Sequence, residues 1–264
     1  MNQTSSINQR LMDAANSLAL ARKHRQPTPR VSEAFELADL DEAYYVQTIS
    51  KQRALTQGRR LSGAKAGLTS AALRSALKVE EPLYGWLFED TAHTSGDTLD
   101  WEQLIQPKVE IEIALVLSAD LPMDTISPEQ LMASIDGAVP ALEINDSAIT
   151  GWQLTLLDAV ADNLSSGLYV LSNNPVPLTA LEGRPLSATL LINSQPVRCD
   201  VHIELDEILA TALWLTRKLA ALGHSLHAGD VLLTGALAPI AEINQGDRLC
   251  LQVDGLGDVE CLFK

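Results

Sequence analysis

The sequence has few of the features that mark secreted or membrane-spanning proteins. Its three cysteines, Cys199, Cys250 and Cys261, are odd in number and show no C-x-x-C spacing, which argues against a disulfide framework or a cysteine zinc site. No stretch approaches 18 consecutive apolar residues, and residues 1–10 lack a basic patch followed by an apolar run. We therefore expect a reduced, cytoplasmic protein that has no membrane partner.

Positive charge is also scarce. The 264 residues include 19 lysines and arginines against 34 acidic residues, which gives a formal net charge of −15 at pH 7. The average field of such a chain repels nucleic acid and anionic membranes, and neither is an expected partner. It also repels small organic acids, so a site for such an acid would need a local cation or a metal ion.

The distribution of apolar residues indicates where helices and strands lie. Residues 1–60 carry apolar positions at helical spacing and predict a helical N-terminal extension. From Leu61 onward, short apolar runs separated by turn residues predict a β-rich domain over 61–264. Two helices are expected to interrupt it, one beginning at Ser127-Pro128 and one over about 206–222. The pattern favours one compact unit of the α+β class.

The most informative motif is a pair of glutamates in the alternating segment Pro107-Lys108-Val109-Glu110-Ile111-Glu112-Ile113. Alternation places Glu110 and Glu112 on one face of a strand, with Cβ atoms roughly 6.6 Å apart at a rise of about 3.3 Å per residue. Such a pair either converges on a cation or forms a solvated strand face.

A third glutamate strengthens the metal interpretation. Glu143 lies in the otherwise apolar run 139–144, where a carboxylate is rarely buried unless it is paired or bound to a metal. An all-oxygen set of three glutamates favours Mg²⁺ or Mn²⁺ over zinc. The histidines form no H-x-x-x-H pair, and no G-x-S-x-G or phosphate-binding loop is present.

Lys65 is a single cation among small residues in Ser62-Gly63-Ala64-Lys65-Ala66-Gly67. Most lysines of this kind lie on the surface. Beside a metal, however, a cation would suit a substrate carboxylate or a proton transfer.

Taken in order, several segments resemble the 2-oxopent-4-enoate (2-keto-4-pentenoate) hydratase and 4-oxalocrotonate decarboxylase family, part of the fumarylacetoacetate hydrolase superfamily. The resemblance spans about 58–263, and its segments are 65–69, 106–112, 140–144, 158–163 and 228–237. It implies a mixed β-roll or sandwich fold and a homo-oligomer. It also implies that Glu110, Glu112 and Glu143 bind Mg²⁺ or Mn²⁺, and that the early family lysine corresponds to Lys65.

The activity that the resemblance implies is that of a metal-dependent lyase. It would hydrate a 2-hydroxy-2,4-dienoate, of the 2-hydroxypenta-2,4-dienoate type, to a 4-hydroxy-2-oxo acid. Asn163 and Thr234 are candidates for hydrogen bonds to the substrate or to water, although turn and strand-end bonding is an equal alternative. Four further residues are expected to line the substrate pocket: Leu83, Tyr84, Asp162 and Gly235.

Three positions depart from the hydratase pattern. Leu83, Ala148 and Asp206 stand where the hydratases usually have an aspartate, an arginine and a histidine. Leu83-Tyr84-Gly85 is closer to the decarboxylase pattern, so decarboxylation of a 2-oxo-3-enedioate of the 4-oxalocrotonate type is the first alternative, and acylpyruvate hydrolysis is a weaker one. A catalytically reduced partner of a related hydratase or decarboxylase subunit is the alternative from another class.

Overall fold

The computed structural model describes the backbone of residues 2–264 and the side chains of residues 7–264. In this part of the chain there are seven α-helices: α1 (Asn2–His24), α2 (Val31–Ala34), α3 (Leu40–Thr56), α4 (Ala71–Leu77), α5 (Pro128–Ala133), α6 (Leu156–Ala161) and α7 (Leu205–Ala221). It also contains thirteen strands: β1 (Leu61–Gly67), β2 (Leu83–Phe88), β3 (Ala92–Thr94), β4 (Thr98–Leu99), β5 (Pro107–Leu117), β6 (Ile135–Asp146), β7 (Ser166–Leu171), β8 (Leu186–Ile192), β9 (Gln195–Ile203), β10 (Val231–Leu233), β11 (Ala241–Glu242), β12 (Arg248–Val253) and β13 (Gly257–Phe263). Short one-turn segments connect some of them: Glu89–Thr91, Trp101–Gln103, Thr150–Trp152, Asn163–Ser165 and Leu178–Ala180.

The N-terminal residues are helical, as their periodicity predicts. The buried positions of α1 recur three or four residues apart, at Leu11, Ala14, Leu18 and Ala21. They belong to an apolar cluster that also contains residues of α3, α6 and the beginning of β2. The N-terminal helices therefore pack directly against one end of the larger sheet.

The strands form two mixed sheets. The larger has the order β2-β1-β10-β5-β6-β7-β3, with β11 beside β5, and the smaller has the order β4-β13-β12-β8-β9. Most neighbours are antiparallel, while β1 with β10, β3 with β7, and β4 with β13 are parallel. The long pair β5 and β6 lies near the centre of the larger sheet, and its register places Glu110 opposite Glu143.

The main hydrophobic core lies between the two sheets and α7. β5 contributes Val109, Ile111 and Ile113 to it, and α7 contributes Ile208 and Leu215 on one stripe. Because successive side chains of a strand point to opposite faces, the glutamates of β5 lie on the face turned away from this core.

The α+β class predicted from the sequence is confirmed. The prediction of only two helices after Leu61 is wrong, since α4 and α6 also interrupt the strands of the described residues. Each begins at a polar N-cap, Ser70 for α4 and Thr155 for α6. Helices of six or seven residues are too short to show a clear 3.6-residue period, which is why the apolar pattern did not indicate them. Among residues 2–264, no helix combines the length and apolar character needed to cross a membrane.

Candidate active site

Three glutamates of the two central strands converge on one point of the larger sheet. Glu110 and Glu112 alternate on β5, and Glu143 faces Glu110 from β6. One carboxylate oxygen from each residue lies within 4.8 Å of the other two. Glu112 and Glu143 are each only 1% exposed. A cluster of this size allows a single cation to take one oxygen from each residue.

Burial and mutual repulsion both oppose the ionisation of this cluster. Burial raises the pKa of Glu110, and the Glu143 carboxylate raises it further. The pKa of Glu112 lies well above its ordinary value for the same two reasons, with Glu110 adding to the repulsion. Glu143 Oε1 contacts the Lys65 ammonium group, whereas the buried Oε2 accepts no hydrogen bond from a described residue. A buried oxygen without a hydrogen bond is costly, so the cluster is incomplete as a purely protein structure.

Lys65 supplies positive charge at the cluster. Its Nζ forms an ion pair with Glu143, and it donates to Asn145 Oδ1 at 2.9 Å and to the Leu164 carbonyl oxygen at 3.2 Å. The three hydrogens of the ammonium group therefore all have protein acceptors.

The contact between Lys65 and Glu143 also defines the shape of the larger sheet. Two strands, β10 and β5, separate β1 from β6, a span of roughly 14 Å in a flat sheet whose strands lie about 4.8 Å apart. The two side chains could not meet across that distance. The sheet is therefore curled, and the site lies on its concave face.

The cluster fits a divalent cation. Three ionised carboxylates and one ammonium group sum to a charge of −2, which a divalent cation would neutralise. The donors are all oxygen atoms, and Glu143 Oε2 still lacks a hydrogen bond within the described part of the chain. This donor set suits Mg²⁺ or Mn²⁺ better than zinc.

Asn145 joins the two ends of the cluster and was missed by sequence reasoning. Its Oδ1 accepts from Lys65, and its Nδ2 donates to Glu110 Oε2 at 2.8 Å. It lies two residues after Glu143 on β6 and therefore on the same face. The alternation that puts Glu110 and Glu112 together was a sufficient signal to find it.

A left-handed segment presents the carbonyl of Leu164 to Lys65. Asn163, Leu164 and Ser165 have φ angles of 54°, 53° and 55°, a conformation that costs energy in residues other than glycine. Asn163 holds this segment against β2, because its Oδ1 accepts from the Trp86 N–H at 2.8 Å and its Nδ2 donates to the Trp86 carbonyl at 2.9 Å. Both polar atoms of the Asn163 amide thus already have partners in the protein. The expected hydrogen bond from Asn163 to the substrate remains a prediction.

Thr234 and Gly235 follow β10 beside the cluster. The Thr234 hydroxyl donates to the Ile113 carbonyl at 2.7 Å, whereas the Gly235 N–H donates to Glu112 Oε2 at 2.9 Å. Gly235 has a φ of +101°, and a Cβ atom there would lie 2.6 Å from a side-chain carbon of Thr69. The backbone of Gly235 therefore touches the cluster, and the catalytic role of Thr234 stays a prediction.

Leu83 and Tyr84 point to opposite faces of β2. Tyr84 lies in the main core, where its ring stacks on Tyr44 with the centroids 4.4 Å apart. Leu83 lies on the same face as Gly85, which pairs with Lys65, and it is buried among residues of the N-terminal helices. Leu83 is thus the one of these two expected pocket residues that lies on the Lys65 face.

Asp162 is bonded to the N-terminal helices rather than to the cluster. Its carboxylate accepts from Arg22 Nη2 at 2.6 Å and from the Ala148 N–H at 2.8 Å. Arg22 Nη1 also lies 3.9 Å from Asp146. Burial raises the pKa of both aspartates, and the Arg22 charge opposes that rise. No local pattern could have indicated Arg22, because its partners are more than 120 residues away along the chain.

The sequence and the curled mixed sheet together identify the family of this chain. The family model for the C-terminal region of fumarylacetoacetate (FAA) hydrolase matches residues 61–263. The chain belongs to the fumarylacetoacetate hydrolase family, as its motifs predict, and the FAA-hydrolase-type fold is confirmed.

Relatives within the family are hydratases. The TodF product hydratase of Pseudomonas putida F1 is 43% identical over 226 residues, which cover 85% of this chain and 84% of that protein. The 2-keto-4-pentenoate hydratase 1 of Dechloromonas aromatica is 41% identical over 228 residues, covering 86% of this chain and 87% of that protein.

A solved structure is similar over nearly the whole chain. The 4-oxalocrotonate decarboxylase from Pseudomonas putida G7, complexed with magnesium and adipate, superposes with a TM-score of 0.86 at 27% identity. The alignment covers 97% of this chain and 98% of that one. The predicted relationship to both hydratases and decarboxylases is thereby confirmed.

Proposed function

We propose that this chain is a metal-dependent hydro-lyase that hydrates 2-hydroxypenta-2,4-dienoate, or a close 2-hydroxy-2,4-dienoate, to a 4-hydroxy-2-oxo acid. The observation that carries the proposal is the buried cluster of Glu110, Glu112 and Glu143 with Lys65 beside it. The identity of 41% to 43% with proteins named as hydratases over most of the chain supports the choice of reaction.

The three glutamates would hold Mg²⁺ or Mn²⁺. Such a cation, when bound, draws electrons from the C1 carboxylate and C2 oxygen of a 2-oxo acid. Three observations support this assignment: the all-oxygen donor set, the net charge of −2, and the buried Glu143 Oε2 without a hydrogen bond from a described residue. The magnesium complex of the related decarboxylase agrees with it.

The protein groups around the cluster would orient the substrate and control protons. In the overall reaction the C2 hydroxyl loses its proton and becomes a ketone, C3 and C5 each gain a proton, and the water oxygen bonds to C4. Lys65 places a positive charge where the acidic end of the substrate would lie. A local positive charge is needed there because the chain, with a net charge of −15, otherwise repels an anionic substrate. Because Asn145 and Leu164 hold its ammonium group, this charge is fixed before substrate arrives. A proton transfer by Lys65 is part of the same proposal.

Decarboxylation of a 2-oxo-3-enedioate is the second candidate, and Leu83 favours it. This apolar side chain lies on the Lys65 face of β2 and is 4% exposed. A carboxylate at this position would repel the distal carboxylate of a dicarboxylic substrate, whereas a leucine does not. The likeness to the 4-oxalocrotonate decarboxylase structure points the same way. A small anionic 2-oxo acid as substrate and a homo-oligomeric assembly are proposed for both candidates.

A direct assay separates the candidates. The purified full chain is incubated with Mg²⁺ or Mn²⁺ and either 2-hydroxypenta-2,4-dienoate or a 2-oxo-3-enedioate, while the 4-hydroxy-2-oxo acid and CO₂ are measured. We expect metal-dependent hydration, which EDTA abolishes, to exceed CO₂ release. Release of CO₂ without hydration would assign the chain to the second candidate. Absence of both products would support a catalytically reduced partner subunit.

A further inference from the structure

A cavity of about 410 Å³ lies between the N-terminal helices and the edge of the larger sheet. Residues of α1 and α3 form one side of it, and Trp86 and Phe88 of β2 with Leu168 of β7 form another. Neither Lys65 nor any glutamate of the metal cluster lines it. Its volume falls in the range of small-molecule sites, roughly 300–1,000 Å³. The cavity is therefore large enough for a ligand and separate from the cluster.

The wall of this cavity is positively charged, in contrast to the chain as a whole. Four basic and two acidic residues line it. The basic residues are Arg22, Lys51, Arg53 and Arg59, and the acidic residues are Asp146 and Asp162. Arg22 is paired with these two aspartates, and Arg59 is paired with Asp90 outside the cavity. Within residues 7–264, Lys51 and Arg53 form no ion pair with a carboxylate. Two cations of α3 are thus left without a counterion.

Lys51 is the buried member of this pair. It is 4% exposed, and its Nζ lies 2.8 Å from His224 Nε2 and 3.9 Å from the centroid of the Trp86 ring. Burial lowers the pKa of Lys51 to about 8, so Lys51 is still an ammonium ion in most molecules at pH 7. Burial and the Lys51 charge lower the pKa of His224, which keeps this neighbour neutral. A buried ammonium ion with only uncharged partners is costly, and an anion beside it would offset that cost.

The rest of the wall suits an organic anion better than an inorganic one. Apolar side chains line much of it, including Leu18, Leu104 and Phe88. Two buried polar atoms of lining residues, Trp86 Nε1 and Gln47 Oε1, have no hydrogen-bond partner among the described residues. These two atoms are covered by protein, so the features that the cavity offers to a ligand are its uncompensated positive charge and its apolar surface.

We propose that this cavity binds a small organic carboxylate, with the carboxylate group against Lys51, the carbon chain against Trp86 and Phe88, and Arg53 adding positive charge to the wall. The site is distinct from the glutamate cluster, none of whose side chains lines the cavity. Asn163 lines the cavity, and the carbonyl of the next residue, Leu164, accepts from Lys65. An occupant would therefore contact Asn163, next to the residue whose carbonyl holds Lys65, without touching Lys65 itself.

Pentanoate is a suitable probe, because it carries a carboxylate and a short chain but lacks the C2 oxygen with which a 2-oxo acid chelates a metal. Calorimetry is performed on the full chain in EDTA. We expect saturable binding of one pentanoate per chain, weakened at least about tenfold in Lys51→Met, since the counterion of the carboxylate is lost. The matched control Lys65→Met, which removes the cation of the metal cluster, should keep the wild-type affinity.

Further measurements identify the class of ligand and check that the variants are folded. Pentanamide lacks the charge and inorganic phosphate lacks the carbon chain, and both should bind at least about tenfold more weakly than pentanoate. Thermal melting checks that Lys51→Met is folded, and Arg53→Met provides a second variant at a less buried position, with weaker binding expected. No saturable binding of pentanoate to the wild type would overturn the proposal. Loss of binding in Lys65→Met but not in Lys51→Met, or phosphate binding as tight as that of pentanoate, would overturn it as well.

Discussion

Lys65 and the three glutamates form a set in which each charge depends on the others. Lys65 opposes the rise in the pKa of Glu110 and Glu112 that burial and Glu143 cause. Its own ammonium group is held by Glu143, Asn145 and Leu164. Removing one member therefore changes the protonation of the rest as well as the contact that is lost.

Lys65→Met should lower turnover at least about 10²-fold, in the range measured for lost proton-transfer or charge-stabilising groups. Affinity for Mn²⁺ should change little, because the loss of a nearby positive charge favours the cation while the higher pKa of the glutamates disfavours it. Steady-state kinetics and calorimetry measure the two effects. The control is Lys218→Met, whose lysine on α7 pairs with the half-exposed Glu81 and should leave turnover near the wild-type value. Near-normal turnover in Lys65→Met would show that Lys65 has only a structural role.

Leu83→Asp tests whether one side chain decides between hydration and decarboxylation. The variant places a carboxylate on the Lys65 face of β2, so we expect faster hydration of 2-hydroxypenta-2,4-dienoate and slower CO₂ release from 2-oxo-3-enedioates. Because the position is buried, the free energy of unfolding should fall by about 2–4 kcal/mol. Leu83→Asn, of similar size and uncharged, is the control for the cost of burial alone. A folded Leu83→Asp with both rates unchanged would show that this residue does not choose the reaction.

The residues of the cluster could be selected from the sequence because alternation and apolar context are local signals. Glu110, Glu112 and Glu143 were identified in this way, and Asn145 could have been. The carbonyl of Leu164 could not, since no side-chain pattern predicts where a backbone oxygen points. Arg22 could not either, because its partners are brought to it only by the folding of the whole chain.

At the level of secondary-structure elements, α1 and the Asn163–Ser165 segment are connected through Arg22. The guanidinium group bonds to Asp162, the residue immediately before the segment, and lies near Asp146 at the end of β6. β6 also carries Glu143 and Asn145, so one ion-pair network touches both elements that hold Lys65. Arg22 therefore ties α1 to the two elements that hold Lys65.

Arg22→Leu should reduce stability by about 2–3 kcal/mol at neutral pH, less than the roughly 3–5 kcal/mol of a fully buried ion pair because a third of Arg22 is exposed. Without Arg22 the pKa of Asp146 and Asp162 in the folded chain rises further above the unfolded value. The variant then takes up protons that the wild type does not, so the stability difference should shrink as the pH falls. Denaturant unfolding at several pH values measures this. A difference that does not change with pH would contradict the electrostatic role.

Elements with a strong local signal were the ones that the sequence predicted well. α7 lies where its apolar stripe over about 206–222 placed it, and the strands lie within the β-rich region predicted over 61–264. α4 begins at the N-cap Ser70 and α6 at a capping box of Thr155 and Asp158, but neither has an apolar period long enough to confirm a helix. The six-residue α5 was predicted because Ser127-Pro128 marks its start. The strength of the local signal therefore decided what could be predicted.

For the whole molecule, the curl of the larger sheet is what creates a site. Curling brings β1 close enough to β6 for Lys65 to reach Glu143, and the N-terminal helices pack over the end where Leu83 lies. Sheet curvature leaves no mark in an apolar pattern, so only the family resemblance indicated it. The division into a helical extension over 1–60 and a catalytic domain over 61–264 stays a prediction, as does the homo-oligomer.

The central claim is that the three glutamates bind a divalent cation that the reaction needs. Calorimetry with Mn²⁺ on the wild type, on Glu112→Gln and on the control Glu242→Gln, whose exposed glutamate pairs with Lys108 and contributes nothing to the cluster, tests it most directly. We expect one Mn²⁺ per chain for the wild type and the control. Glu112→Gln should remain folded, bind Mn²⁺ at least about tenfold more weakly and lose turnover, because a ligand charge is removed. Unchanged Mn²⁺ affinity in Glu112→Gln would contradict the account.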